Sequence, residues 1–176
     1  GAITAAKILA QAAHLDGYRG VTAAPTFGAE RRGAPVSAST RIARAPVHVM
    51  SQVEQPDAVV ILDHTLLKYD DVTGGLREGG WVIVNSFREP GDLDIKGSFN
   101  VATADATRVC RELGLAVAGQ TIVNTAILGA FVRATGVVDI ASVERAIRDR
   151  FRDSAADVNL SAIARTHEIT KLRRAA

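Results

Sequence analysis

The chain predicts an α/β fold, a single layered domain with a mostly parallel sheet flanked by helices, Rossmann-like in its alternation. Three observations carry that expectation. Residues 58–62, Ala-Val-Val-Ile-Leu, are apolar without alternation, the pattern of a strand buried on both faces of a parallel sheet. Residues 81–84, Trp-Val-Ile-Val, repeat it after the Gly79-Gly80 turn. Segments of helical period lie before and after these strands, and strands interleaved with helices imply layers around a parallel sheet. At 176 residues the chain fits one domain, 1–176, able to bury roughly two-thirds of its unfolded surface.

The first helix is expected over residues 3–16, because Ala5, Ile8, Leu9, Ala12 and Ala13 share one face and Gly17 follows as a stop. A strand over 18–24 and another over 36–43 flank a loop rich in glycine, proline and arginine. Pro46 interrupts before 47–49, read as an edge strand. After the buried strand 58–62, Asp63 caps a short helix over 65–68. Residues 99–102 form a weaker third parallel strand. Further helices are expected over 105–113, 125–135, 140–150 and 160–174; Gly136 ends the second of these and Asp139 caps the third. Lys171, Arg173 and Arg174 are expected at the carboxyl end of the last helix, where cations suit its dipole. No internal repeat or low-complexity linker interrupts the chain.

Composition narrows the function. A hydrophobic fraction of 47% and a charged fraction of 23% are ordinary for a globular protein. The net charge of +2 gives no case for nucleic acid, which calls for basic residues clustered with exposed aromatics. Cys110 is the only cysteine, so the chain can neither close an internal disulfide nor supply the four thiolates of an iron–sulfur cluster. It is expected as a reduced thiol on a helix in an intracellular, cytoplasmic protein. No apolar run approaches the roughly eighteen residues of a membrane span, and no export signal is visible. His14, His48 and His167 show no ligand spacing among themselves or with Cys110. No lysine of the phosphate-loop type follows the paired glycines at 74–75 and 79–80.

The richest segment is residues 25–35, Pro-Thr-Phe-Gly-Ala-Glu-Arg-Arg-Gly-Ala-Pro. Proline at each end and internal glycine exclude a helix interior or central strand. It reads as an ordered loop presenting the guanidinium groups of Arg31 and Arg32. One reading is an anion site, with arginine forks for carboxylate or phosphate and Gly28 and Gly33 giving a ligand access to backbone. The other is a surface loop with a Glu30–arginine pair, worth about 0–1 kcal/mol when exposed. Asn124 and Thr125 stand at the mouth of a helix, with Asn124 as its N-cap. The helix's free amides could attract an anion, or Asn124 simply starts the helix. Ala126, Leu128, Gly129 and Ala130 then form a small-residue face suited to close packing. Asp63 and His64 follow the buried strand where α/β folds place ligand contacts, but neighbours on a strand point to opposite faces, which favours a capping role.

Residues 25–35, with Val-Ser-Ala-Ser-Thr-Arg-Ile at 36–42, Gln-Pro-Asp at 55–57 and Ile-Val-Asn-Thr-Ala-Ile-Leu-Gly-Ala at 122–130, resemble the gamma subunit of pyruvate:ferredoxin oxidoreductase and, more broadly, the gamma domain of 2-oxoacid:ferredoxin oxidoreductases. The likeness runs in order through nearly the whole chain. It implies a non-autonomous subunit of a thiamine-diphosphate-dependent, coenzyme A-acylating complex that converts a 2-oxoacid to acyl-CoA and carbon dioxide. Alpha, beta and delta-type subunits would hold thiamine diphosphate, magnesium and iron–sulfur clusters and pass electrons to ferredoxin or another acceptor; this chain alone would bind none of these cofactors. The resemblance places Phe27, Gly28, Glu30, Arg31, Arg32, Gly33, Asn124 and Thr125 near substrate or coenzyme A, or at a subunit interface. Members of that family open with a strand and a turn of the form Gly-x-Gly-Gly-Gln-Gly. Only the turn's last glycine can be present, as Gly1, so the sheet's first strand is expected to be missing from this sequence. A purely structural interaction subunit and a stand-alone nucleotide-binding domain are the alternatives.

Overall fold

The computed structural model describes residues 1–26, 36–48, 51, 53–68, 72–117 and 119–176. Helix α1, Ala2–Leu15, buries Ile8, Leu9, Ala12 and Ala13, the expected face. It packs on a hairpin of β1, Gly20–Thr26, and β2, Ser37–Ala43, paired antiparallel from Gly20–Ala43 to Thr26–Ser37. The Thr40 hydroxyl fixes the two layers by donating to the Ala6 carbonyl at 3.1 Å. The expected edge strand over 47–49 is not formed at Val47 and His48, and Val49 lies outside the described residues. Instead the chain beyond β2 folds back over Gly20, where an added Cβ would meet the Ala45 carbonyl oxygen at 2.0 Å. A backbone crossing that close cannot run alongside as a ladder partner.

The main sheet has the order β3–β4–β5–β8. Strands β3, Ala58–Ile61, β4, Trp81–Asn85, and β5, Asn100–Ala104, are parallel, as their apolar runs require. Every residue of β4 is buried. Alternate side chains feed two cores. Ile83, Ala102 and Ala104 enter a core built with all five helices: α1, α2 (Ala106–Glu112), α3 (Ile127–Thr135), α4 (Ile140–Arg150) and α5 (Asp153–Ile169). Ile61, Val82, Val84 and Val101 enter a second core closed by Leu76 and Leu93, with Leu66, Leu67, Ile95 and Phe99 around it. Short 3-10 turns at His64–Lys68 and Pro90–Asp92 lie on this part of the chain. Two features of this layout escaped the sequence: the small hairpin β6, Ala116–Val117, with β7, Gln120–Thr121, and the way the chain ends.

The last helix starts earlier and stops earlier than expected, at Ile169 rather than near 174. Lys171–Arg173 forms β8, antiparallel to β5. The cations assigned to a helix dipole therefore sit on an edge strand, where exposed charge discourages further pairing. The turn is made at Thr170, whose hydroxyl donates to the Thr166 carbonyl at 2.6 Å. Beyond it, the Arg174 guanidinium stacks 4.6 Å from the Trp81 ring centroid, and the Ala175 N–H donates to Asn100 Oδ1 at 3.0 Å. Leu160, Ile163, Ala164 and His167 form one stripe at helical spacing that serves either ending, so periodicity alone could not separate them.

Helix starts correct two further expectations. Asp139 precedes α4, but its side chain makes no capping bond. The carboxylate of Asp16, from the end of α1, takes that place, accepting from the Asp139 N–H at 3.4 Å and the Ser142 hydroxyl at 3.2 Å. The cap is tertiary and ties α1 to α4. Asp105, by contrast, caps α2 through its own side chain, accepting from the Arg108 N–H at 2.9 Å.

The small-residue face on α3 does what its composition implies. A Cβ at Gly129 would lie 2.2 Å from the Ile163 carbonyl oxygen and 2.9 Å from the His167 nitrogen, so α3 and α5 cross with backbones in contact. Gly129→Ala is expected to cost about 1–3 kcal/mol in urea unfolding, the scale of overpacking a closed core. Gly91→Ala, with nothing within 4 Å of the added carbon, is expected to stay within about 0.5 kcal/mol of the parent.

Candidate functional site at the carboxyl ends of the parallel strands

In open α/β sheets, ligand-contacting groups collect beyond the carboxyl ends of the parallel strands. Here that rim is organised by Asn85, the last residue of β4, only 6% exposed. Its Nδ2 donates to the Leu62 carbonyl at 2.9 Å and to Thr107 Oγ1 at 2.8 Å, while its Oδ1 accepts from the Thr107 N–H at 3.2 Å. One carboxamide thus joins the end of β3, the end of β4 and the start of α2. Every polar atom of the group is used, which makes Asn85 a positioning residue.

Asp63 follows β3 and accepts from the Thr65 N–H at 2.9 Å, the capping role its position suggested. The hydrogen bonds from the Thr65 backbone and hydroxyl, helped by nearby His64 and Lys68, hold its carboxyl below the ordinary aspartate range. After β4, the Ser86 Oγ accepts from the Arg88 N–H at 3.1 Å. That turn leaves the Phe87 ring 67% exposed. His64 meets Phe87 edge-on at 6.0 Å between centroids, and the Arg88 guanidinium lies 6.0 Å from the ring centre. Sequence reasoning passed over Asn85 to Arg88. The signal was available: these residues follow a continuously apolar strand directly, as Asp63 and His64 do.

Asn124 and Thr125 lie at the same end of the domain. A side chain at Gly1 would stand 3.5 Å from Leu62 Cδ1 and 3.8 Å from Asn124 Cβ, so the start of α1, the end of β3 and Asn124 meet in one corner. Asn124 is not the N-cap of α3. The helix starts at Ile127 without a side-chain cap, and the Asn124 carboxamide turns back to accept from the Thr125 N–H at 3.0 Å. Residues 124–126 run as a tight turn in which the Thr125 and Ala126 carbonyls accept from Leu128 and Gly129. Thr125, 1% exposed, donates its hydroxyl to Asn159 Oδ1 at 2.5 Å, and Asn159 donates in turn to the Ala155 carbonyl. Thr125 therefore pins α3 to α5. Phe27, Gly28, Glu30, Arg31, Arg32 and Gly33 lie outside the described residues; the strands expected on either side of them are formed, and they pair with each other antiparallel.

The donor set of the chain does not fit an iron–sulfur cluster. Cys110, its single thiol, is buried in α2, and burial pushes its pKa up to about 11, the opposite of what a thiolate ligand needs. Among the described residues, no group of three or more His, Cys, Asp or Glu side chains could hold a metal ion. No helix there is long and apolar enough to cross a membrane.

Residues 1–169 match the protein family described as pyruvate ferredoxin/flavodoxin oxidoreductase. The chain belongs to that family. It is 46% identical over 173 residues to the common gamma subunit of the pyruvate/ketoisovalerate oxidoreductases of Thermococcus litoralis, covering 97% of this chain and 91% of that protein. It is 45% identical over 148 residues to pyruvate synthase subunit PorC of Methanosarcina barkeri, 84% of this chain and 79% of the other. The crystal structure of the pyruvate oxidoreductase subunit PORC from Thermotoga maritima superposes with a TM-score of 0.82 at 34% identity, over 99% of this chain and 92% of that one. Within the pyruvate ferredoxin/flavodoxin oxidoreductase family, the counterparts of this chain are thus gamma subunits matched over nearly their full length.

Two outcomes test the rim. Asn85→Ala leaves the Thr107 N–H and Leu62 carbonyl without their partner, and is expected to cost about 2 kcal/mol or more in denaturant unfolding. For Asp63, a carboxyl held below its unfolded value of about 3.9 contributes stability above that pH and loses it as pH falls through the folded value. The 64–68 turn is therefore expected to loosen below about pH 4, read by amide hydrogen exchange at Thr65, and Asp63→Asn is expected to remove that acid-dependent step.

Proposed function

We propose that this chain is the gamma subunit of a multi-subunit, coenzyme A-acylating 2-oxoacid oxidoreductase, which oxidatively decarboxylates a 2-oxoacid to acyl-CoA and carbon dioxide. The observation that carries this reading is the full-length match to gamma subunits, at 46% identity across 97% of the chain. Thiamine diphosphate with magnesium, and the iron–sulfur clusters, belong in this reading to alpha, beta and delta-type partners, with ferredoxin or another acceptor taking electrons from the assembly. The chain's single buried thiol supports that division of labour.

This subunit's own part is positional. Arg31 and Arg32, between Gly28 and Gly33, offer two guanidinium groups to an anionic part of substrate or coenzyme A, or to a carboxylate of a neighbouring subunit. Asn124, 8% exposed, meets the start of α1 in a second corner, which in this reading adds a polar group to the same task. Neither element moves electrons or protons; both orient an anion.

The test uses the assembled complex with Arg31→Ala and Arg32→Ala combined. With assembly intact, the KM for coenzyme A or for the 2-oxoacid is expected to rise on the order of tenfold, as loss of a charge-assisted hydrogen bond predicts. Unchanged KM values for both would remove the ligand role and leave docking as the loop's purpose.

A further inference from the structure

Helix α1 and the β1–β2 hairpin form an arm distinct from the main sheet. The hairpin shares no ladder with the four-stranded sheet. It is fixed to α1 instead, through the Thr40 hydroxyl on the Ala6 carbonyl at 3.1 Å, and at its base the Arg44 guanidinium lies 5.4 Å from the Tyr18 ring centre. At its far end Thr26 pairs with Ser37, and residues 27–35 join the two strands. Three side chains of α1 and the turn after it lead from this arm to one stretch of the helical layer, residues 137–149. Asp16 accepts from the Asp139 N–H at 3.4 Å and the Ser142 hydroxyl at 3.2 Å. The Tyr18 hydroxyl donates to the Val137 carbonyl at 2.7 Å, and Gln11 Nε2 donates to Asp149 Oδ2 at 2.9 Å. Tyr18 and Gln11 cap nothing, so helix capping does not account for the set. Helix α1 packs on α4, and Ala12, Ala13 and Ala146 of these helices are wholly buried. Burial is non-directional and alanine offers only shallow ridges, so packing fixes rotation and slide less sharply than hydrogen bonds do.

We propose that Asp16, Tyr18 and Gln11 form a latch that aims this arm, and with it the loop that carries Arg31 and Arg32. Asp16 and Tyr18 precede the base of the hairpin, so they act through its direction and are positioning residues. The lever is long. Strand β1, Gly20–Thr26, reaches about 20 Å from its base at about 3.3 Å per residue, so a tilt of about 5° there moves the far end by roughly 2 Å. A displacement of that size breaks a hydrogen bond between a guanidinium and an anion, which spans only about 2.7–2.9 Å. What the loop holds rests on the proposed function; that the latch sets the direction of the hairpin does not.

The experiment measures the arm's direction in the full chain and its consequence in the assembled complex. Spin labels at Val36→Cys, a position 71% exposed beside the loop, and at Glu168→Cys on α5 report the distance between arm and helical layer; Cys110, 0% exposed, stays unlabelled. Asp16→Ala combined with Tyr18→Phe is expected to shift or widen that distance distribution by about 2 Å or more. Asp16→Asn keeps an oxygen for both donors and is expected to hold the parental distribution. In the complex, the combined variant is expected to raise the same KM, for coenzyme A or the 2-oxoacid, that Arg31→Ala with Arg32→Ala raises. The rise is expected to be about fivefold, well inside the roughly hundredfold that a 1 Å misplacement can cost. Gly129→Ala, a packing change at the α3–α5 crossing, is expected to leave both readouts at parental values, which separates aiming from general loss of stability. An unchanged distance distribution in the combined variant, or in Tyr18→Phe alone where the combined variant does not fold, overturns the latch. So does an equal change in Gly129→Ala, or a KM that rises in the arginine variant and not in the latch variant. A shifted distance with both KM values unmoved by the arginine variant overturns the ligand reading of the loop while the latch stands, so the two failures are told apart.

Discussion

A parallel sheet has no face to leave in water, and most of this structure follows from that constraint. Strands β3, β4 and β5 carry apolar side chains in both directions, so each face demands its own cover. On one side five helices supply it, and their number forces close spacing. Alanine lines α1, and Gly129 lets α3 and α5 touch backbone to backbone. On the other side Leu66, Leu67, Leu76 and Leu93 reach in from short turns. With both faces occupied, backbone groups beyond the strand ends must find partners at the rim. Asn85 serves three segments there with one side chain, and that economy leaves the neighbouring Phe87 and Arg88 facing outward.

Lateral edges raise a different difficulty. The outer side of β5 would expose a ladder of unpaired amides and carbonyls, which β8 closes with three residues. All three are exposed, two of them cations, so the added strand completes the sheet without offering a new edge to other chains. The tail then crosses to Trp81 through Arg174 and to Asn100 through Ala175. Strand, stack and hydrogen bond secure the C-terminal segment at the amino ends of β4 and β5. The carboxyl ends are left clear of it.

What the sequence disclosed depended on whether the deciding interaction was local. The parallel strands, α1, α2 and α4 were legible because apolar run length and helical period are properties of the segment itself. The family resemblance was legible for the same reason, residing in contiguous motifs. Failures cluster where a distant residue decides. Asp139 looked like a cap, but Asp16 occupies that place from α1, more than a hundred residues away in sequence. Asn124 looked like a cap as well, yet its carboxamide is taken by the adjacent amide, and α3 begins without it. The end of α5 was misread because the stripe from Leu160 to Lys171 suits a helix, while the edge of β5 that recruits Lys171 was invisible from the stripe. Chemistry at the rim was half legible: Asp63 drew notice as a polar residue after a strand, and the same reasoning applied to Asn85 would have found the residue that organises it.

The electrostatics of the rim argue for selection rather than attraction. A net charge of +2 spread over the whole chain cannot steer an anion from a distance, since screening at physiological ionic strength acts within about 8 Å. Affinity for anions must come from single guanidinium groups held in place. Around the ends of β4 and β5 most cations are already neutralised, Lys171 by Glu89 and Arg108 by Asp105 and Glu112, and Arg88 has no carboxylate partner among the described residues. A lone charge beside an aromatic face and a carboxylate cannot hold an anion on charge alone. Specificity at such a rim therefore comes from simultaneous satisfaction of unlike groups, each too weak to bind by itself.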